Sequence, residues 1–278
     1  MPCVPSPDRV APIPARPVAL VTGAARRLGR AIALELAAHG FDLALHYRRS
    51  AEQAEEVAAQ VRALGAQAWL LQADLADEAT VNALVPQVVA AAGRIDAVVN
   101  NASLFEHDTV ASFGHAAMER HGRANTAAPI LLARALHAAV SRPGHPGGQG
   151  CVVNLLDQKL WNPNPDHLSY TLSKIALEGA TTLLAQALAP RVRVCGVAPG
   201  LTLRSGDQTE AEFEAAHRLT PLGRGSSAED IAQAVRFLLQ APAVTGTTLL
   251  VDGGQHLQPS ARDVMFAVRE PGPGEGAR

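Results

Sequence analysis

The stretch Val18-Ala-Leu-Val-Thr-Gly-Ala-Ala-Arg-Arg-Leu-Gly29 constrains this chain more than any other. Val18 to Val21 is a short apolar run, the pattern of a fully buried strand. Thr22 and Gly23 break it, and from Leu28 the apolar positions Leu28, Ile32, Leu34, Leu36 and Ala37 recur at helical spacing. A strand therefore turns sharply into a helix, and the turn carries Gly23 and Gly29. Glycines there let the backbone approach a phosphate closely, and the unpaired N–H groups of the helix start face it.

The rest of the chain alternates in the same way. Strand patterns fall at 41–46, 67–72, 95–99, 151–155, 192–197 and 247–251. Helical patterns fall at 50–64, 77–92, 116–139, 167–189 and 228–239, with Ser50 as an N-cap, Gly93 and Pro190 as stops, and room for two helices in 116–139. Such alternation predicts an α/β fold: one Rossmann-type, doubly wound domain with a parallel sheet flanked by helices on both faces. It is expected to span 18–258. The six prolines among the first 17 residues predict a flexible arm, and 259–278 reads as a Pro/Gly-rich tail after a short apolar patch.

A formal net charge of −2 makes no electrostatic case for nucleic acid or an anionic membrane. No apolar run reaches the ~18 residues needed to span a bilayer. The start of the chain lacks an apolar signal core, so the cytoplasm is the expected compartment. Cys3, Cys151 and Cys195 are scattered and suggest neither a disulfide framework nor a zinc site, and no metal is predicted among the ten histidines.

In a doubly wound sheet, ligands bind outside the carboxyl ends of the strands. The second strand ends in His46-Tyr-Arg-Arg-Ser50. An acid here would suit the ribose 2′-OH of NAD; instead Arg48 and Arg49 stand there, with Arg26 and Arg27 in the glycine turn. Guanidinium forks suit a 2′-phosphate, which points to NADPH, against the plainer reading of a solvated basic turn. Asp74, followed by Leu75, is placed for the adenine edge, and Asn100-Asn-Ala-Ser103 for the middle of the cofactor. The fifth strand runs out at Asp157; Tyr170 and Lys174 follow, four residues apart and so on one helix face. An ammonium beside a phenol lowers the phenol's pKa and makes it a proton donor near neutral pH.

Together, Thr22-Gly-x5-Gly29, Asn100-Asn-Ala-Ser103, Asn125, Tyr170-x-x-x-Lys174, Pro199-Gly200 and Val251-Asp-Gly-Gly254 resemble the short-chain dehydrogenase/reductase family over about residues 18–257. The resemblance implies a seven-stranded sheet and hydride transfer from a nicotinamide. Tyr170 would be the proton donor, Lys174 the ribose anchor, and Asn125 would position a water. Gly23, Leu28, Gly29, Asn101, Ala102, Pro199, Gly200 and Thr202 would line the cofactor. It also implies a homotetramer or homodimer packed through the helices around 125–140 and 168–188.

Three departures narrow this. Arg27 replaces the turn's middle glycine, Ser103 follows Asn-Asn-Ala, and Asp157 stands where serine is usual. All three fit the pteridine reductase branch, which the stretches 22–30, 45–50 and 101–105 resemble closely. There, Phe105 and the nicotinamide would sandwich a flat pterin, with Arg27, Ser103 and Leu201 nearby. In that branch a neighbouring subunit's C-terminus can also reach the site, a role open to Arg262.

Asp157 has independent sense. A carboxylate opposes the alkoxide of ketone reduction but stabilises a protonated imine. Asp157 thus favours a cyclic imine or nitrogen-rich ring over a plain ketone, and with the resemblance the expected reaction is reduction of a dihydropterin to its tetrahydro form, with Asp157 and Tyr170 serving its protonation; a local loop contact for Asp157 is the bland reading. Two alternatives stay open: an NADPH-dependent reductase of ketones or 3-oxoacyl groups, and a non-catalytic NADP(H)-binding sensor. His107, His167 and His256 are expected to be surface or loop histidines. Trp161 either caps the pocket or packs on the surface. Segment 201–219 is expected to close over the substrate.

Overall fold

The computed structural model describes residues 16–145, 148–204, 208–263 and 266. The expected arm therefore lies almost wholly outside the described residues, as do Ser205, Gly206 and Asp207 and most of the tail. Seven strands form one parallel sheet: β1 (Val18–Val21), β2 (Asp42–Tyr47), β3 (Ala68–Gln72), β4 (Ala97–Asn100), β5 (Gly150–Leu155), β6 (Val192–Pro199) and β7 (Thr248–Val251). Their order is β3-β2-β1-β4-β5-β6-β7, so the winding reverses between β1 and β4. A crevice opens at such a reversal.

Both faces of the sheet are covered, because successive strand residues point to opposite sides. Ala19, Val21, Leu43, Leu45, Val99 and Val153 join one core with helices α1 (Arg27–Ala38), α2 (Ala51–Ala63) and α8 (Ala228–Gln240). Val18, Leu20, Ala44, Val98, Val152 and Val194 join the other, against α3 (Glu78–Ala92) and α5 (Ala128–Val140). Helix α6 (Leu168–Ala187) packs along the second face. Among the described residues no helix is long and apolar enough to cross a membrane.

Several local readings change. The expected helical run 116–139 is α4 (His115–His121) and α5 joined by a π-helical stretch, Gly122–Ala127, that carries Asn125. Pro129 has no N–H and so cannot close the α-helical bond to the Asn125 carbonyl, a local cause for the wider turn. Ser50 stands at the start of α2, but its side chain makes no capping bond. The segment expected to close over substrate contains a further helix, α7 (Glu210–Arg218), started by a capping box between Thr209 and Glu212. Trp161 sits on the surface side of a short 3₁₀ turn, 39% exposed.

Candidate active site

A cleft of about 930 Å³ runs along the carboxyl edge of the sheet, from the β1–α1 turn to the start of α6. Its first half is backbone. Gly23 has φ +64°, and a side chain on Gly29 would lie 2.1 Å from the Gly23 carbonyl oxygen, so only glycine allows this close packing. Arg27 takes the same left-handed region at φ +53°, where a Cβ costs ~1–2 kcal/mol. Its guanidinium compensates by donating to the carbonyls of Arg204 and Leu203 beyond β6.

Helix α1 begins without a side-chain cap and without an acid in its first turn. Its first N–H groups face the cleft unneutralised, as an anion site requires. Arg26, Arg48 and Arg49 line the same end. Arg48 is held only loosely, 3.9 Å from the half-exposed Asp74, and Arg26 donates to Gln53.

The turn is held from behind. His46, 2% exposed, accepts from the Gly23 amide at 3.1 Å through Nδ1, so its proton lies on Nε2, which donates to the Ala73 carbonyl at 3.2 Å. Burial lowers its pKa, in keeping with a neutral ring. Asn101 donates to the carbonyls of Thr22 and Gly23, and Thr22 Oγ1 accepts from the Asn101 and Ala102 amides. These residues thus lock β1 to β4 and give the glycine turn its shape.

The second half is made of side chains. The Tyr170 hydroxyl donates to Asp157 Oδ2 at 2.7 Å, and the Lys159 amide donates to Asp157 Oδ1 at 2.9 Å. Burial pushes the Asp157 pKa up, against the pull of those two donors. Burial, with the carboxylate beside it, pushes the Tyr170 phenol well above its ordinary value. The expectation of a phenol acidified by Lys174 is thereby corrected. The Lys174 ammonium lies 5.7 Å from the ring centroid and gives its hydrogen bond to the Leu155 carbonyl, at 2.7 Å. Burial brings Lys174 itself down to about 8, with Asp157 opposing.

Phe105 forms a wall, 45% exposed, edge-on to Tyr170 at 4.7 Å and stacked on His167 at 4.2 Å. His167 is therefore a buried packing residue, correcting the surface reading; its φ is +55°. His256 also has a partner, Asp252 at 2.7 Å.

Most of the expected residues come together here: Gly23, Arg26, Arg27, Leu28, Gly29, His46, Arg48, Arg49, Asp74, Leu75, Asn101, Ala102, Ser103, Phe105, Asp157, Tyr170, Lys174 and 199–202 all line the cleft. Tyr47, Ser50 and Asn125 do not. Tyr47, the last residue of β2, and Ser50, at the start of α2, fall outside the cleft, while the Asn125 carboxamide is fully used, by Leu104 N and O and by the Ser173 hydroxyl. Sequence reasoning missed Asp108, whose carboxylate holds the Ser169 amide and hydroxyl at the start of α6. It also missed Gln255, which binds the Leu201 amide, and Lys159, Asp166 and Asp263. These contacts span up to 104 positions and follow no local pattern. Among the described residues no group of His, Cys, Asp or Glu could hold a metal.

The family model described as Enoyl-(Acyl carrier protein) reductase matches residues 23–256. Pteridine reductase 1 of Leishmania tarentolae is 36% identical, over 88% of this chain and 98% of its own length. Granaticin polyketide synthase putative ketoacyl reductase 2 of Streptomyces violaceoruber is 35% identical, with the same coverage of 88% and 98%. The crystal structure of FolM Alternative dihydrofolate reductase 1 from Brucella canis, complexed with NADP, is 40% identical, covers 88% of this chain and 96% of its own, and superposes with a TM-score of 0.81. With this sheet order and the Tyr170/Lys174 pair behind it, the chain belongs to the short-chain dehydrogenase/reductase family of oxidoreductases.

Proposed function

We propose that this enzyme is an NADPH-dependent reductase of a cyclic C=N bond, converting a dihydropterin to its tetrahydro form. One observation carries the reading: the carboxyl of Asp157 is bonded to the Tyr170 phenol at 2.7 Å, inside a cleft walled by Phe105. The pteridine reductase and FolM relatives support it.

The cofactor end fits NADPH. Only glycine fits at Gly29, the start of α1 is uncapped, and Arg26, Arg48 and Arg49 bring cationic forks suited to the 2′-phosphate. When bound, NADPH supplies the hydride. Tyr170 holds a proton in the neutral range and delivers it to the substrate nitrogen. Asp157, which accepts from that hydroxyl, orients it and balances the cationic imine. Lys174, tied to the Leu155 carbonyl, places positive charge beside the phenol as it loses its proton. The flat face of Phe105 suits a stacked heterocycle.

A ketoreductase is the second reading, favoured by the Streptomyces relative. The decisive assay follows NADPH oxidation with 7,8-dihydropterins and with 3-oxoacyl thioesters, for the native enzyme and Asp157→Ser. Dihydropterin turnover lost in D157S supports the proposal. No dihydropterin turnover, with thioester turnover improved by D157S, overturns it. Ile175 and Leu183 stand on α6 at 49% and 65% exposure, which supports a homodimer or homotetramer formed through that helix.

A further inference from the structure

The stretch after β7 returns to the substrate end of the cleft on the same chain. Asp166, 4% exposed, receives it: its carboxylate accepts from Arg262 Nε at 3.0 Å and from the Asp263 amide at 2.7 Å. The Phe266 ring lies nearly parallel to His167 at 6.1 Å and edge-on to His107 at 5.5 Å, under the Arg262 guanidinium at 5.1 Å. The segment is therefore held by a buried acid on one side and by rings on the other.

This docking carries the Asp263 side chain into the cleft wall. Its Oδ2 lies 3.5 Å from the ammonium of Lys159, a lysine only 3% exposed, which also donates to the Asp166 carbonyl. Asp263 is near enough to Asp157, Tyr170 and His167 for its charge to raise the pKa of all three. The substrate end thus holds a second carboxylate besides the one bonded to the phenol. A neutral ketone or thioester gains nothing from it. A ring edge bearing two adjacent N–H donors, as in a 2-amino-4-oxo heterocycle, matches a carboxylate's two oxygens.

We propose that Asp263 is a specificity-determining residue, whose carboxylate receives the paired N–H donors of an amidine-type ring edge. This deepens the C=N reductase reading and rests on it for the orientation of the ring. A site built to hydrogen-bond such donors discriminates strongly against analogues that lack them.

The test is a calorimetric titration of the NADP⁺-loaded enzyme with 2-aminopteridin-4-one and with pteridin-4-one, which lacks the amino group. No turnover is needed. The native enzyme is expected to prefer the amino compound by about tenfold or more, as for a hydrogen bond to a charged group. Asp263→Asn should cut that preference to less than about twofold and Asp263→Glu should retain part of it. Thermal unfolding and NADP⁺ binding serve as fold controls, with Asp263→Ser as the replacement if D263N fails them. A native enzyme without the preference, or a D263N enzyme that keeps it, overturns the proposal; in the latter case Asp263 only holds Lys159. If the preference and its loss are found but dihydropterins are not reduced, the reduction reading alone fails.

Discussion

The two ends of the cleft are built from opposite materials. At the cofactor end the contact surface is backbone and exposed arginine: glycines at 23 and 29, the uncapped start of α1, and Arg48 facing water. At the substrate end it is side-chain charge: Asp157 and Lys174 line the cleft, and the buried Lys159 and Asp166 hold Asp263 in its wall. The first end offers what any phosphate needs, helix-start N–H groups and cationic forks. The second must tell substrates apart and move a proton, which needs groups whose ionisation is shifted by burial, and those groups weigh on the fold.

The sharpest way to break this comparison is Tyr170→Phe. Removing one hydroxyl should lower kcat by about 10²–10⁴-fold, the usual worth of a placed general acid, while fluorescence titration finds NADPH affinity little changed. A parallel loss of cofactor affinity would mean that the two ends are not separable.

Lys174→Met asks what the substrate end does to stability. The Lys174 pKa in the folded protein, about 8, lies below its ordinary 10.5. Between these values the unfolded chain binds more protons, so stability rises with pH across that window and is lowest below it. The substitution should abolish this rise. At pH 7 it should also stabilise the ligand-free protein by about 2 kcal/mol after loss of the bond to Leu155, read by denaturant unfolding at pH 7 and 10. A less stable variant at pH 7 would contradict the picture of a strained charge.

The smallest effect is expected at the cofactor end. Replacing Arg48 and Arg49 together by alanine should reduce the preference for NADPH over NADH about tenfold, with kcat nearly unchanged. An unchanged preference would make these arginines the solvated basic turn that their exposure also allows.

Much of this was legible in the chain. The run from Val18 to Gly29 carried the strand, the turn and the helix, because backbone conformation there depends on neighbours in sequence. Tyr170 and Lys174 share a face for the same local reason. The tally of strands was right, but the π-helical stretch at Asn125 and the helix Glu210–Arg218 were not seen. The first needs the effect of Pro129 on an earlier carbonyl, and the second is short and mostly polar.

What the sequence determined alone was the alternation of strands and helices, the glycine turn and the pairing of phenol and amine, all set by contacts within a few residues. Only the tertiary structure decided that His46 is a brace for the turn, that the phenol bonds to Asp157 rather than to the lysine, and that Asp263 comes home to the cleft. Each of those depends on burial and on partners 13 to 104 positions apart. The ionisation of a buried group is a property of its surroundings, and its surroundings exist only once the chain has folded.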